Sequence, residues 1–373
     1  MNAVELGAGE IGIDACEQCL RRSWLLKRLA GHLEVTRGRI VELLALEDPE
    51  LISALAGAEL DAVQREWREW DATAAQAART KARALGMELI CRCEPRYPAA
   101  LCDLEAPPAV LYVAGGMTRF LALCGQDPVA IVGSRQASRY AREVACELGR
   151  GVCASGLTVV SGMANGIDAE AHLGALGSGG QTIAVLPGPA YRATPAGAAA
   201  LHRRIVAVGV AVSELPPGVS SRSWMYLARN RIIAGLSRLT VVVEARARSG
   251  ALATARVSGQ LGRRVAAVPG QVTNERAEGS NALLVAGARL IRGTQDLLDE
   301  IYGVGVRTVL PDTRPAPTAT QATILMAITE GLDTAGALAA AGVAADELLA
   351  EIAGLELGGR IRRAAGGRLS VVP

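Results

Sequence analysis

Four short segments of this chain carry residue types that hold anions. The first, Gly133-Ser134-Arg135-Gln136-Ala137-Ser138, follows the apolar run Val129–Val132. Gly133 lets the backbone approach a ligand, Ser134 and Ser138 offer hydroxyls, and Arg135 can grip a phosphate with two parallel donors. The second is Ser161-Gly162-Met163-Ala164-Asn165-Gly166-Ile167-Asp168, with His172 four residues beyond Asp168. Its serine and two glycines make an anion-cradling turn. Asp168 and His172 share one helical face and could form an acid–base pair. A helix cap at Asp168 with a structural hydrogen bond is the preferred reading. The third, Arg229-Asn230-Arg231, precedes the apolar run Ile232-Ile233-Ala234. Positions i and i+2 of a helix lie about 200° apart, so the two arginines cannot face one phosphate. Either one is structural, or they serve different groups along a polymer. The fourth, Glu244-Ala245-Arg246-Ala247-Arg248-Ser249-Gly250, adds local positive charge, a candidate N-cap at Ser249 and backbone donors at Ser249-Gly250. Glu244 could act as a base, but pairing with a nearby arginine is the simpler expectation.

Neither Gly-x-Gly-x-x-Gly nor a Walker lysine is present, which argues against ordinary dinucleotide or ATP binding. The histidines are His32, His172 and His202, and no nucleophile–base–orienter set is evident. A non-catalytic protein without cofactors is therefore expected.

These segments need a frame that brings them to one edge. From Pro128 the chain alternates apolar runs with helical stretches: Val129–Val132, Thr158–Val160, Thr182–Leu186, Val210–Ser213, Leu239–Val243 and Val265–Val268. Runs apolar on both faces, at this spacing, predict an α/β fold with a doubly wound, mostly parallel, Rossmann-like sheet. Ligands of such sheets bind outside the carboxyl ends of the strands, and all four segments are expected as turns at that edge. Before it, residues 1–85 read as a helical module of SAM or helix-hairpin type, including one long helix over Ala62–Leu85. The Rossmann-like domain spans 86–305, with a short strand at Val110–Val113, and 306–318 read as a linker. Residues 319–373 read as three helices and a basic hairpin turning at Gly366-Gly367, a winged-helix-like pattern that serves DNA or protein contacts.

Of the 373 residues, 50% are hydrophobic and only 3% aromatic, so the core must be aliphatic. A net charge of +2 is too small for coating nucleic acid by bulk charge, so anion binding must be local. No charge-poor run approaches the ~20 residues of a membrane span, and Met1–Asp14 lacks a basic signal region; a cytoplasmic protein is expected. Of eight cysteines, Cys16-x-x-Cys19 and Cys91-x-Cys93 could supply four thiolates to zinc. Reduced, unrelated cysteines are the favoured alternative, Cys-x-Cys being a poor chelate spacing.

Residues 94–300 resemble the bacterial DNA-processing protein A family (DprA, also called Smf). The resemblance rests on Tyr97-Pro98, Ile131-Val132-Gly133-Ser134-Arg135, Ser161 to Asp168 with Ala171-His172, and Arg229 to Ser237. Ser249 to Ala255 and Val268-Pro269-Gly270 through Gly279-Ser280-Asn281 to Gly287-Ala288 complete it. It implies an extended Rossmann fold that binds single-stranded DNA. It also implies a homodimer that loads the recombinase RecA during natural transformation and relieves the block by single-strand-binding protein. By match, Arg135 holds backbone phosphate, and the Ser161–Ala164 turn and Arg229-Asn230-Arg231 line the same groove. One stretch departs: Pro187-Gly188-Pro189-Ala190-Tyr191 and Thr194-Pro195-Ala196-Gly197-Ala198 stand where the family has Gly-Thr-Gly-Leu-Asp and Tyr-Pro-x-x-Asn. A contact from that loop is not carried over, with Arg192 the available substitute. The competing reading is a nucleotide-processing enzyme of phosphoribohydrolase type. Its Pro-Gly-Gly-x-Gly-Thr turn is replaced here by Arg248-Ser249-Gly250-Ala251.

Overall fold

The computed structural model describes residues 14–309, 317–340 and 345–371. Residues 1–13, which bear on the expected lack of a secretion signal, and linker residues 310–316 lie outside them.

The apolar runs form a nine-stranded sheet: β1 (Met87–Cys91), β2 (Val110–Ala114), β3 (Val129–Val132), β4 (Val159–Ser161), β5 (Thr182–Val185), β6 (Val210–Ser213), β7 (Leu239–Val242), β8 (Arg264–Ala267) and β9 (Arg289–Leu290). Its order is β1-β2-β6-β5-β4-β3-β7-β8-β9. All pairings from β6 to β9 are parallel, while β2 runs antiparallel to β1 and β6. Every residue of β2 to β7 is buried, as two-sided strands require. One face packs Phe120, Val160, Ile183, Ile232 and Ile233. The other packs Ile131, Leu148, Val152, Ile167 and Leu297. The chain winds from β3 through β4, β5 and β6 to one side, and from β7 through β8 and β9 to the other. The switch point therefore lies between the carboxyl ends of β3 and β7, where this architecture opens a crevice.

Two strands went unread in the sequence, the edge strand β1 and the two-residue β9, as did the connector helices Ala99–Cys102 and Met117–Cys124. The long helix expected over Ala62–Leu85 is two helices, Leu60–Arg68 and Ala72–Ala84. Asp71 separates them, accepting the Ala74 N–H at 2.8 Å as the N-cap of the second. The N-terminal helices pack Leu25, Leu29, Leu33, Ile40 and Leu51 around Trp224, Met225 and Ala228 of helix Ser223–Leu236. The Trp224 indole donates to the Ala30 carbonyl at 3.1 Å.

At the other end, helices Ala319–Thr329, Ala335–Ala340 and Ala345–Leu357 precede an antiparallel hairpin, β10 (Ile361–Arg363) and β11 (Leu369–Val371). Arg362 anchors this unit on the sheet domain through two bonds to the buried Glu170 carboxylate, 2.7 and 2.9 Å. Among the described residues no helix is long and apolar enough to cross a membrane.

Candidate nucleic-acid interface

The turns after β3, β4 and β7 meet at the switch point, and helix Ser223–Leu236 closes one side. Together they line a pocket of about 330 Å3 that contains Gly133, Ser134, Arg135, Ala164, Asp168, Tyr226, Arg229, Asn230, Arg246, Arg248, Ser249 and Gly250. Its charged lining is four arginines against one carboxylate, Asp168.

Asp168 organises the floor. It is buried and accepts the Gly162 N–H at 3.1 Å, with the N–H groups of Ala164 and Gly133 also turned toward it. It braces the turn rather than capping the helix, whose N-cap is Gly166. Burial pushes its carboxyl pKa up, against the opposing pull of the Arg229 guanidinium and these N–H groups. Gly166 sits at φ +85°, and a Cβ there would lie 2.3 Å from the Ser134 carbonyl. That carbonyl accepts the Ile167 N–H at 3.2 Å, fastening the first turn to the second.

Arg229 is 6% exposed, and its nearest carboxylate oxygen, Asp168 Oδ2, is 3.8 Å from Nη1, beyond hydrogen-bond reach. Its Nε and Nη1 have no hydrogen-bond partner among the described residues. The guanidinium fits only because residue 162 is glycine: a Cβ there would lie 1.3 Å from Arg229 Nη1. Arg229 is thus a buried cation on the pocket lining that the described residues leave without a close ion pair, an environment that favours an anion nearby. Around it Arg135, Arg246 and Arg248 are exposed. The Arg135 guanidinium carbon stands 4.8 Å from the centre of the Tyr226 ring. Asn230 Nδ2 donates to the Gly250 carbonyl at 3.2 Å, tying the arginine helix to the fourth segment. Ser249 caps helix Gly250–Gln260 by accepting the Ala251 N–H at 3.3 Å.

Several expected contributors face elsewhere. Arg231 is buried, donating twice to Glu214 at 2.6 and 3.0 Å, to Ala106 O at 2.9 Å and to Ala228 O at 2.8 Å. Of the two alternatives for the arginine pair, one member is thus structural. The Ser161 hydroxyl donates to Ile131 O at 2.6 Å, and Met163 packs into the core at φ +54°. Ser138 caps helix Arg139–Ala154 and donates its hydroxyl and N–H to Glu244 at 2.6 and 3.0 Å. Glu244 therefore pairs with a helix N-terminus and not with an arginine. Gly162 and Gly166 act behind the lining as spacers. His172 does not pair with Asp168: its Nδ1 meets Thr182 Oγ1 at 2.8 Å. The Thr182 hydroxyl proton goes to Val159 O at 2.7 Å, so His172 Nδ1 is the donor. Burial, with the Arg229 charge adding, depresses the His172 pKa to about 3. Residues 187–198 do not line the pocket, and Arg192 donates to Val219 O at 3.2 Å.

Tyr226 was missed by the sequence reading. Its signal is helical spacing: Tyr226, Arg229, Asn230 and Ile233 stand at i, i+3, i+4 and i+7 and all line the pocket, while Arg231 falls off that stripe.

A family model described as DNA recombination-mediator protein A matches residues 88–302. The DNA processing protein DprA of Bacillus subtilis is 34% identical over 219 residues, covering 59% of this chain and 73% of that protein. A Mycobacterium tuberculosis relative, also named for DprA, is 45% identical over 176 residues, 47% of this chain. The chain spans slightly under half, 45%, of that relative's length. Among solved structures, DprA from Streptococcus pneumoniae aligns with a TM-score of 0.62 at 27% identity, covering 77% of this chain and 98% of that one. DNA processing protein A from Helicobacter pylori, described for its single-stranded DNA binding mode, aligns with a TM-score of 0.50 at 27% identity, covering 55% and 92%.

Proposed function

We propose that this chain, which belongs to the DNA recombination-mediator protein A family, is a non-catalytic single-stranded DNA binder whose switch-point pocket holds backbone phosphates. The observation that carries this reading is Arg229, a buried guanidinium with two nitrogens unpartnered among the described residues, on the lining of a pocket that three exposed arginines share. Exposed Arg135, Arg246 and Arg248 add three further cationic side chains to the same pocket, more than one phosphate needs, which suits a strand better than a mononucleotide. Tyr226 offers a face on which an unpaired base stacks, a contact duplex DNA withholds. The ligand-binding residues are thus Gly133, Ser134, Arg135, Ala164, Tyr226, Arg229, Arg246, Arg248 and Ser249-Gly250.

Family membership extends the proposal. The chain acts in the cytoplasm as a homodimer that loads RecA onto incoming single strands and relieves single-strand-binding protein, during natural transformation. The unit at 319–373 is a winged-helix-like accessory module.

Anisotropy of labelled oligo-dT, titrated with the full chain at several salt concentrations, tests the core claim. Binding should weaken steeply with salt, and a duplex of equal length should bind less tightly. Arg135→Ala should weaken oligo-dT binding by about 1–3 kcal/mol, one charge-assisted contact. Equal affinity for single and double strands refutes the reading. Nucleotide turnover abolished by Glu244→Gln would favour the enzyme instead.

A further inference from the structure

Far from the pocket, the fold gathers four cysteines that the DNA-binding function does not use. Cys16 is the N-cap of helix Glu17–Arg28, and Cys19 lies in that helix's first turn. Cys91 ends β1, and Cys93 stands in the turn that follows, closed by the Glu94 N–H on the Cys91 carbonyl at 2.9 Å. Their sulfurs all lie within 4.8 Å of one another. We propose that Cys16, Cys19, Cys91 and Cys93 bind one structural zinc ion, which staples the N-terminal helical module to the edge of the sheet.

The geometry fits one ion. Four sulfurs at a Zn–S distance of about 2.3 Å occupy a tetrahedron with edges of about 3.8 Å. Cys19 Sγ and Cys93 Sγ are 3.6 Å apart, near that edge and far beyond the about 2.05 Å of a disulfide. A cluster of two irons would spread its thiolate pairs further than this packing allows. The Cys-x-Cys spacing works here because the turn closed by the Glu94 N–H on the Cys91 carbonyl folds Cys93 back beside Cys91. The surroundings favour negative charge. The Cys16 N–H points at Cys91 Sγ at 3.3 Å, and the helix N-terminus directs its positive dipole end at the Cys16–Cys19 pair. An all-thiolate tetrahedral set selects zinc among divalent ions. Loading breaks four S–H bonds, forms four Zn–S bonds and releases four protons to solvent, with no redox change.

The position gives the ion a purpose. The two ligand pairs bracket the helical module, so the ion closes a loop that contains all of it and removes conformational entropy from the unfolded chain. That module packs behind Trp224 and Met225, on the helix that carries Arg229.

The test uses the full chain, purified under reducing conditions without chelator. Elemental analysis should find one zinc per chain. Replacement by Co2+ should give the visible absorption bands of a tetrahedral tetrathiolate site. Cys19→Ser and Cys93→Ser should each lose the zinc and lower the melting temperature, whereas Cys102→Ser, an exposed cysteine outside the cluster, should keep both. Should a serine variant not fold, Co2+ titration of the metal-stripped wild-type chain still decides. The proposal is overturned by wild-type protein that carries no zinc and gives no tetrathiolate bands, by iron in its place, or by Cys93→Ser retaining a full equivalent.

Discussion

Gly162→Ala isolates the role of Arg229 without touching the arginine. The new Cβ would lie 1.3, 2.2 and 2.5 Å from Arg229 Nη1, Cζ and Nη2. No two heavy atoms tolerate such separations, so the guanidinium must leave its place. The loop cannot retreat instead, because the Gly162 N–H is bonded to Asp168 and that bond holds the turn. Residue 162 is not among the glycines with left-handed φ, so alanine brings no backbone strain of its own. The loss is then one charge-assisted grip on the ligand, about 1.5–3 kcal/mol. At about 1.4 kcal/mol per factor of ten, oligo-dT binding falls roughly 10- to 150-fold. The slope of log K against log salt should shrink by about 0.7, the single-strand value for one phosphate contact. Anisotropy titrations on wild type, Gly162→Ala, Arg229→Ala and the double variant form a cycle. If alanine acts only by evicting the guanidinium, the double variant binds no worse than Arg229→Ala, and the coupling energy equals the effect of Gly162→Ala alone in size, with opposite sign. Additive losses, or an unchanged affinity in Gly162→Ala, refute this account of the pocket.

Three further outcomes follow from neighbouring residues. Tyr226→Ala should cost about 1–3 kcal/mol in oligo-dT binding through lost stacking, and Tyr226→Phe almost nothing; equal losses in the two variants would count against a stacking face. Arg231→Ala strands the buried Glu214 carboxylate and should destabilise the fold by about 3–5 kcal/mol in chemical denaturation. Its salt slope for DNA should match wild type, and a reduced slope would return Arg231 to the ligand. His172, held down to about 3 by burial, stays neutral where an unfolded histidine, near 6.5, takes up a proton. Its contribution is therefore full above pH 6.5 and is lost as pH falls toward 3, by up to about 1.4 kcal/mol per pH unit. Asp168, raised by burial, titrates in the opposite sense, so the readout is the difference between wild type and His172→Gln. Urea unfolding across this acid range should diverge for the two proteins, and parallel curves would contradict a buried neutral imidazole.

The strands were legible because burial on both faces leaves a mark in composition: Val129–Val132 and Val210–Ser213 are read to the residue. Strand β1 left a weaker mark. Met87-Glu88-Leu89-Ile90-Cys91 carries an exposed glutamate and runs straight into Arg92-Cys93-Glu94-Pro95, so it reads as part of a connector. The break at Asp71 was readable in principle, since an aspartate three residues before Ala74 is an N-cap signature; the alanine-rich flanks masked it. In the site, residue types located the turns but not the direction of each side chain. Ser134 and Ser161 look alike in sequence. The first lies at the crevice, while the second sits inside the sheet with only the Ile131 carbonyl to bond.

The two arginines show where the limit lies. Helical angles alone establish that Arg229 and Arg231 diverge, and the Tyr226–Ile233 stripe chooses between them once Tyr226 is included. What no local pattern supplies is the partner that makes the choice irreversible. Glu214 follows β6, outside the arginine segment, and Ala106 lies 125 residues from Arg231 in the chain, yet both close on its guanidinium. Arg229 is fixed by the opposite means. Its carboxylate neighbour among the described residues, Asp168, is occupied with the backbone of the adjacent turns, and Gly162 leaves the guanidinium room but no bond. Differences in their surroundings thus spend Arg231 on the fold and leave Arg229 on the pocket lining without a close ion pair, which is the basis for proposing it as the ligand's arginine.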